Sequence, residues 1–281
     1  MSPAVRRDGD GFSDSLSVDF ADAERGAAGL VLVDLRPGAG RASAVGVLQE
    51  NEVAAISAPE LRGEIPSEWG AVDLGGVRVA DDGERARVAL EADGAGFEIE
   101  VTRLGGVSFE TGSAFADAAG LTQELFCARV SGEWHAGDSG GQVRSLGRLI
   151  RSTGEIDWKR IELLRSLTAT LDDGSLLAVA AARPRGAAGH GEEVASALLL
   201  DVEGSVIRFE EPLLSTEYDS GGRHRRAGVE LWGPDEGAAL RGSGTLIGGA
   251  AVEVGRSETA FLSFTLDGTP GTARYDLARA D

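Results

Sequence analysis

The sequence predicts an all-β protein made of two antiparallel β-barrels in tandem. Three observations carry this. Short segments of alternating apolar and polar residues recur along the whole chain. Turn signals rich in Gly, Asp and Pro separate them at close spacing. Helical periodicity is nearly absent. Period-two alternation gives a strand one buried and one solvated face, and turns of two to four residues join neighbours antiparallel. The segments are too many for one small barrel. A chain of 281 residues accommodates two domains of about 140 residues each.

Taken in order, the first half supplies strand candidates at 29–35 (GLVLVDL), 43–49, 52–57, 76–80, 86–92, 96–104, 124–134 and 142–146. Arg36-Pro37-Gly38, Asp82-Gly83 and Asp93-Gly94 mark turns between them. Residues 113–121 (SAFADAAGL) hold one short turn or helix. Residues 147–158 read as irregular backbone. In 161–171, alternation puts Ile161, Leu163, Arg165, Leu167 and Ala169 on one face. The Asp172-Asp173-Gly174 turn into the apolar run 176–182 then favours a hairpin over a helix. Further candidates are 194–202, 205–218, 226–232, 259–266 and 272–277, with turns at Glu203-Gly204, Ser220-Gly221-Gly222 and Asp267-Gly268. This organisation predicts a flexible N-terminus over 1–14, one barrel over 15–150 and a second over 151–281.

Composition bounds the partners. Net charge is −19, from 46 acids and 27 bases. A surface of that sign repels nucleic acid and anionic lipid heads. The longest apolar runs are far below the roughly 20 residues of a membrane helix, so no membrane insertion is expected. A single cysteine, Cys127, excludes an internal disulfide and fits a cytoplasmic location. Oligomeric state is not readable.

Several motifs point away from chemistry. Residues 137–141 read GDSGG, as around a protease nucleophile, but no histidine precedes His135 in the chain. A serine triad needs a base and a buried acid brought to that serine. The string reads as turn chemistry between two strands. His135, His190 and His224 are far apart in sequence; His190 with Glu192 and Glu193 is the one grouping with metal-ligand character. No flavin, nicotinamide or haem fingerprint is present, so no cofactor is expected.

The order of residues around the midpoint resembles the tandem lipocalin-like family of AttH-like bacterial proteins and hydroxyneurosporene synthase (carotenoid 1,2-hydratase). It is more distantly similar to fungal decalin-forming Diels–Alderases. Gly147, Ser152, Gly154, Asp157 and Trp158 match that family's central signature. Arg151 stands where the signature has a histidine, and Thr153 where it has a tryptophan. The opening strands with the Arg36-Pro37 turn, the Asp-Asp-Gly turn and the strand RRAGVELW (225–232) are also similar. The resemblance implies two lipocalin-like (calycin-type) barrels, cofactor-free chemistry and a hydrophobic small-molecule substrate.

The candidate catalytic residues are Asp157, Trp158 and Arg151. Adding water to an alkene, or cyclising one, needs an acid kept neutral in dry surroundings and an aromatic wall facing positive charge on carbon. Asp157 beside Trp158 has that composition. Glu133, Glu193, Glu217 and Glu230 are secondary acids, each in a strand whose parity can turn it inward. Trp134, Trp232, Phe126 and Phe209 are candidate substrate-binding aromatics, and Thr153 joins Arg151 as a hydrogen-bond donor. These point to a cofactor-independent cyclase or pericyclase of bacterial natural-product biosynthesis, acting on a polyene-like terpenoid or polyketide mainly by positioning it. A hydratase or lyase acting on an isoprenoid alkene, and a non-catalytic binder of hydrophobic ligands, are the other readings.

Overall fold

The computed structural model describes residues 2–6, 8–50, 53–57, 60–62, 65–220, 223–233, 239–247, 251–254 and 257–280. The turns Ser220-Gly221-Gly222 and Glu203-Gly204 differ in this respect: residues 221 and 222 lie outside the described residues. The chain is nearly all β, in two nearly closed antiparallel barrels in tandem. One compact unit comprises Met1–Leu104 with Phe126–Glu155; the other comprises Gly105–Leu125 with Ile156–Asp281. The segment 105–125, expected in the first barrel, therefore falls in the second unit.

The first barrel holds β1 (Ser13–Asp22), β2 (Ala27–Arg36), β3 (Arg41–Glu50), β4 (Val53–Ser57), β5 (Glu60–Arg62), β6 (Val72–Leu74), β7 (Val77–Asp81), β8 (Arg85–Ala92), β9 (Ala95–Phe109), β10 (Leu121–Ala136) and β11 (Ser139–Gly154). Their order is β4-β3-β2-β1-β11-β10-β9-β8-β7-β6, with β5 on β3. Neighbours in sequence pair from β1 to β4 and from β6 to β11, and β1 joins β11. Leu16, Val18 and Phe20 of β1 face Val31, Val33 and Leu35 of β2 and Leu149 of β11 in one core with Val88, Leu90, Ile99 and Trp134. Val5, from the segment expected as a tail, is buried in the same core. The stretch expected to be irregular from Gly147 is the end of β11, and irregular backbone begins only at Glu155.

A six-residue helix, α1 (Ala114–Ala119), is capped by the Ser113 side chain and ended by Gly120 at φ 70°. That left-handed geometry is the one a glycine C-cap supplies.

The second barrel holds β12 (Ile161–Leu171), β13 (Leu176–Pro184), β14 (Val194–Leu200), β15 (Val206–Tyr218), β16 (His224–Trp232), β17 (Leu240–Leu246), β18 (Val252–Val254), β19 (Ser257–Leu266) and β20 (Thr269–Arg279). Consecutive strands pair from β12 to β17; β17 then pairs β19, β19 pairs β20, and β20 returns to β12. The short β18 lies outside this ring on β19. The β12–β13 hairpin is the one read from alternation. Asp93-Gly94 and Asp267-Gly268, with φ of 50° and 78°, and 48° and 90°, are two-residue turns with both central residues left-handed, the twist that suits a hairpin. Leu167, Ala169, Leu177, Val179, Val229, Leu262, Phe264 and Ala273 form the apolar part of the interior.

A buried polar cluster in the second barrel

The inward face of β12 is apolar except for Arg165, which is 3% exposed between Leu163 and Leu167. A buried guanidinium is costly unless paired. Here it pairs with Glu193, the residue before β14, through Nη2 and Oε2. Arg183 of β13 reaches the other carboxylate oxygen, donating from Nε at 3.0 Å and from Nη2 at 2.6 Å. Arg165 Nη1 donates to Thr216 Oγ1 at 3.3 Å. Thr216 Oγ1 and Tyr275 Oη share a hydrogen bond of 2.6 Å. The Tyr275 ring meets His224 edge to face, with centroids 5.2 Å apart. His224 Nε2 lies 2.9 Å from Glu258 Oε1, and the His224 backbone N–H donates to the same oxygen at 3.2 Å. Strands β12, β13, β15, β16, β19 and β20 each contribute a member.

His224 owes its position to an irregularity. Glu217 pairs with Arg226 but Tyr218 pairs with His224, so Arg225 is an extra residue in β16. Along regular β16 the core residues are Ala227, Val229 and Leu231. Strict alternation would send His224 outward; the bulge turns it inward, where it is 2% exposed.

Electrostatics sort these groups into acceptors, donors and a neutral base. Burial pushes the Glu193 carboxyl up, but Arg165 and Arg183 outweigh it and hold the pKa below the ordinary 4.5. Burial likewise opposes charge on Arg165, and Tyr275 and Glu193 outweigh it, so the guanidinium stays charged. Burial pushes the Tyr275 phenol above its ordinary 10.0. Burial also pushes His224 below its ordinary 6.5, against the pull of Glu258, so the imidazole is neutral at neutral pH. Arg165 Nε and both His224 ring nitrogens are buried without an aligned hydrogen-bond partner among the described residues. His224 Nε2 has the Glu258 carboxylate beside it; buried polar atoms are nearly always satisfied, so Arg165 Nε and His224 Nδ1 mark a place where a bound molecule gains.

The residues expected from sequence lie elsewhere. Asp157 is exposed; its Oδ1 accepts from the Lys159 N–H at 3.0 Å and its carbonyl from Arg160 and Ile161. It shapes a turn and lacks the dry surroundings that an acid catalyst requires. Trp158 is half-buried, with its carbonyl accepting from Arg185 Nε at 3.0 Å. Arg151 is in the first barrel, on the inward parity of Leu149, and grips buried Asp14 through Nε at 3.0 Å and Nη2 at 2.7 Å. Thr153 is its neighbour on that face and accepts from Arg6 Nη1 at 3.3 Å. Trp134 packs in the first core, and Phe126 lies under the Arg103 guanidinium at 5.0 Å. Phe209 packs in the second core. Trp232 is 38% exposed and of opposite parity to the core residue Leu231, so it faces out of the barrel.

Of the secondary acids, Glu193 is in the cluster. Glu133 and Glu217 are exposed, and Glu230 pairs with Arg241 across β17. The side chain of His190 lies outside the described residues. Among the described residues, no three His, Cys, Asp or Glu side chains are grouped to hold a metal ion. Sequence reasoning did not bring Thr216, His224, Glu258 and Tyr275 together. The legible signals were Glu193, an acid whose parity can turn it inward, and Arg165, a charge in the middle of an apolar face.

No protein-family model matches the chain. No curated protein matches it by sequence. Among solved structures it is similar to the crystal structure of kievitone hydratase from Nectria haematococca, with a TM-score of 0.66 over 95% of this chain and 89% of that one, at 10% identity. At that identity the likeness is one of fold, and it supports the tandem lipocalin-like architecture.

Proposed function

We propose that this protein is a cofactor-independent hydro-lyase, a hydratase of a hydrophobic unsaturated small molecule, with its active site at the buried polar cluster of the second barrel. The observation that carries this is the pair of buried polar atoms without a hydrogen-bond partner among the described residues, Arg165 Nε and His224 Nδ1, within an otherwise apolar barrel interior. Apolar walls with a few convergent polar groups are the usual form of a small-molecule site. Neutral His224 is suited to take a proton from water, and Tyr275 to give a hydrogen bond. The activity named for the fold neighbour, hydration, supports this reading over cyclisation.

Purified protein is to be incubated with a panel of hydrophobic alkenes, dienes and enones, and product mass followed. A gain of one water is expected, with Asp157→Asn as active as the wild type and His224→Gln strongly impaired. A product isomeric with its substrate makes the protein a cyclase instead, and tight binding without product makes it a carrier.

A further inference from the structure

Resting on the hydratase reading of this cluster, we propose that the substrate is an α,β-unsaturated carbonyl compound. Its carbonyl oxygen is held by Tyr275 and Arg165, and water is added at its β-carbon by His224. The cluster's chemistry separates two kinds of hydration. An isolated alkene is hydrated by first protonating carbon, which demands a strong acid that still carries its proton. The buried carboxyl, Glu193, accepts from Arg165 on one oxygen and from Arg183 on the other. It is an acceptor with no proton to give. Glu258 likewise faces a backbone N–H and the His224 ring as an acceptor. The hydroxyls of Tyr275 and Thr216 are far too weak as acids to protonate an alkene, since phenols ionise near pH 10.

Those weak acids suit the other kind. Conjugate addition develops negative charge on a carbonyl oxygen, and preorganised donors in a water-poor site stabilise it. Arg165 Nη1 donates to Thr216 Oγ1, which shares a hydrogen bond with Tyr275 Oη, so the three form one connected polar group. Arg165 Nε–H is unengaged among the described residues. The His224 ring packs edge to face on the Tyr275 ring, centroids 5.2 Å apart, so a group that touches one ring borders the other.

The step balances without a redox partner. His224 takes a proton from water as the water oxygen bonds the β-carbon. The C=C pair moves into the bond between the α-carbon and the carbonyl carbon, and the C=O pair moves onto oxygen, giving an enolate held by Tyr275 and Arg165. Glu258, 2.9 Å from Nε2, stabilises the imidazolium. The imidazolium then returns its proton to the α-carbon, and the carbonyl re-forms. The net change is addition of water, and the reverse dehydrates a β-hydroxy carbonyl compound.

The test offers wild-type protein 2-alkenones of graded chain length beside 1-alkenes and prenyl-type trisubstituted alkenes of matched length, in ¹⁸O-water. The expected result is label at the β-carbon of the enones and none in the alkenes. Tyr275→Phe is expected to lower kcat by about a hundredfold, the scale for loss of one oxyanion donor, with KM nearly unchanged. Folding of the variant is checked by circular dichroism. A second readout needs no water addition. The wild type is expected to exchange the α-hydrogens of a saturated 2-alkanone in D₂O, and His224→Gln to lose this. Hydration of the isolated alkenes but not the enones overturns the substrate class and keeps the hydratase. Hydration of neither overturns the hydratase reading itself. Enone hydration with Tyr275→Phe folded and undiminished overturns the assigned roles.

Discussion

At the scale of single residues, Glu193 is the point on which the second-barrel cluster turns. Its carboxylate neutralises one fully buried and one mostly buried guanidinium. Removing one member of a buried ion pair leaves the other charge uncompensated, and Glu193→Gln is expected to cost about 3–5 kcal/mol of stability, measured by urea unfolding at pH 7. The pH dependence has a definite sign. The folded pKa of Glu193 lies below 4.5, so its stabilising contribution is present above the unfolded value and is lost as pH falls through the folded one. His224 also has a depressed pKa, below 6.5, in a setting that includes Glu258, Asp276, Asp219, Arg279 and Tyr275. The unfolded imidazole takes up its proton first, so stability declines as pH drops below 6.5. The same shift places the acid limb of kcat/KM below the ordinary histidine range. A limb at or above pH 6.5 counts against His224 as the base. Arg165 was legible as an anomaly on the apolar face of β12, because period two is a local property. Its meaning was not, since Glu193, Thr216 and Tyr275 come to it from distant parts of the sequence.

At the scale of elements, alternation and turn chemistry carried most of the reading. The Asp-Gly turns at 93–94 and 267–268, the β12–β13 hairpin and the short helix after Ser113 follow from local rules. What escaped was non-local. Residues 147–154 carry glycines and polar side chains that read as loop, but pairing of β1 with β11 holds them as strand. Asp157 and Trp158 fall just past that strand's end, where Asp157 is exposed and Trp158 half-buried. The bulge at Arg225 reverses the parity of His224, and nothing in the local pattern announces it. Close strand approach also explains certain glycines. A Cβ on Gly271 would stand 2.3 Å from the Thr170 carbonyl oxygen on the neighbouring strand. Backbone cannot yield as a side-chain tip can, so Gly271→Ala is expected to cost about 1–3 kcal/mol, the scale of an overpacked core. Gly94→Ala meets nothing within 4 Å but sits at φ 78°; it is expected to cost about 1–2 kcal/mol, from the left-handed backbone alone. Chemical denaturation measures both variants, and a Gly271→Ala variant of unchanged stability removes the argument from β12–β20 pairing.

At the scale of the whole molecule, charge dominates. The excess of 46 acids over 27 bases leaves −19, and pairs such as Arg148 with Asp19 and Arg165 with Glu193 lie in the interior. Each such pair removes one acid and one base, so the whole net charge falls on the remaining groups. A compact state with that imbalance repels itself, and the unfolded chain relieves the repulsion by expanding. Screening acts on exposed charges and hardly on buried pairs: the Debye length falls from about 30 Å at 0.01 M to about 8 Å at 0.15 M salt. Added sodium chloride over that range is therefore expected to raise the midpoint of thermal unfolding, since it weakens the repulsion and leaves the interior pairs intact. A gain of about 1 kcal/mol corresponds to roughly 2–4 °C for a chain of this size class, resolvable by scanning calorimetry. The same field is expected to keep the protein off duplex DNA in anisotropy measurements at 0.01 M salt, where counterion release favours any basic surface most. A midpoint that falls with salt would mean that exposed ion pairs, not net repulsion, govern the surface, and DNA binding at low salt would mean that the charge is segregated into a basic face.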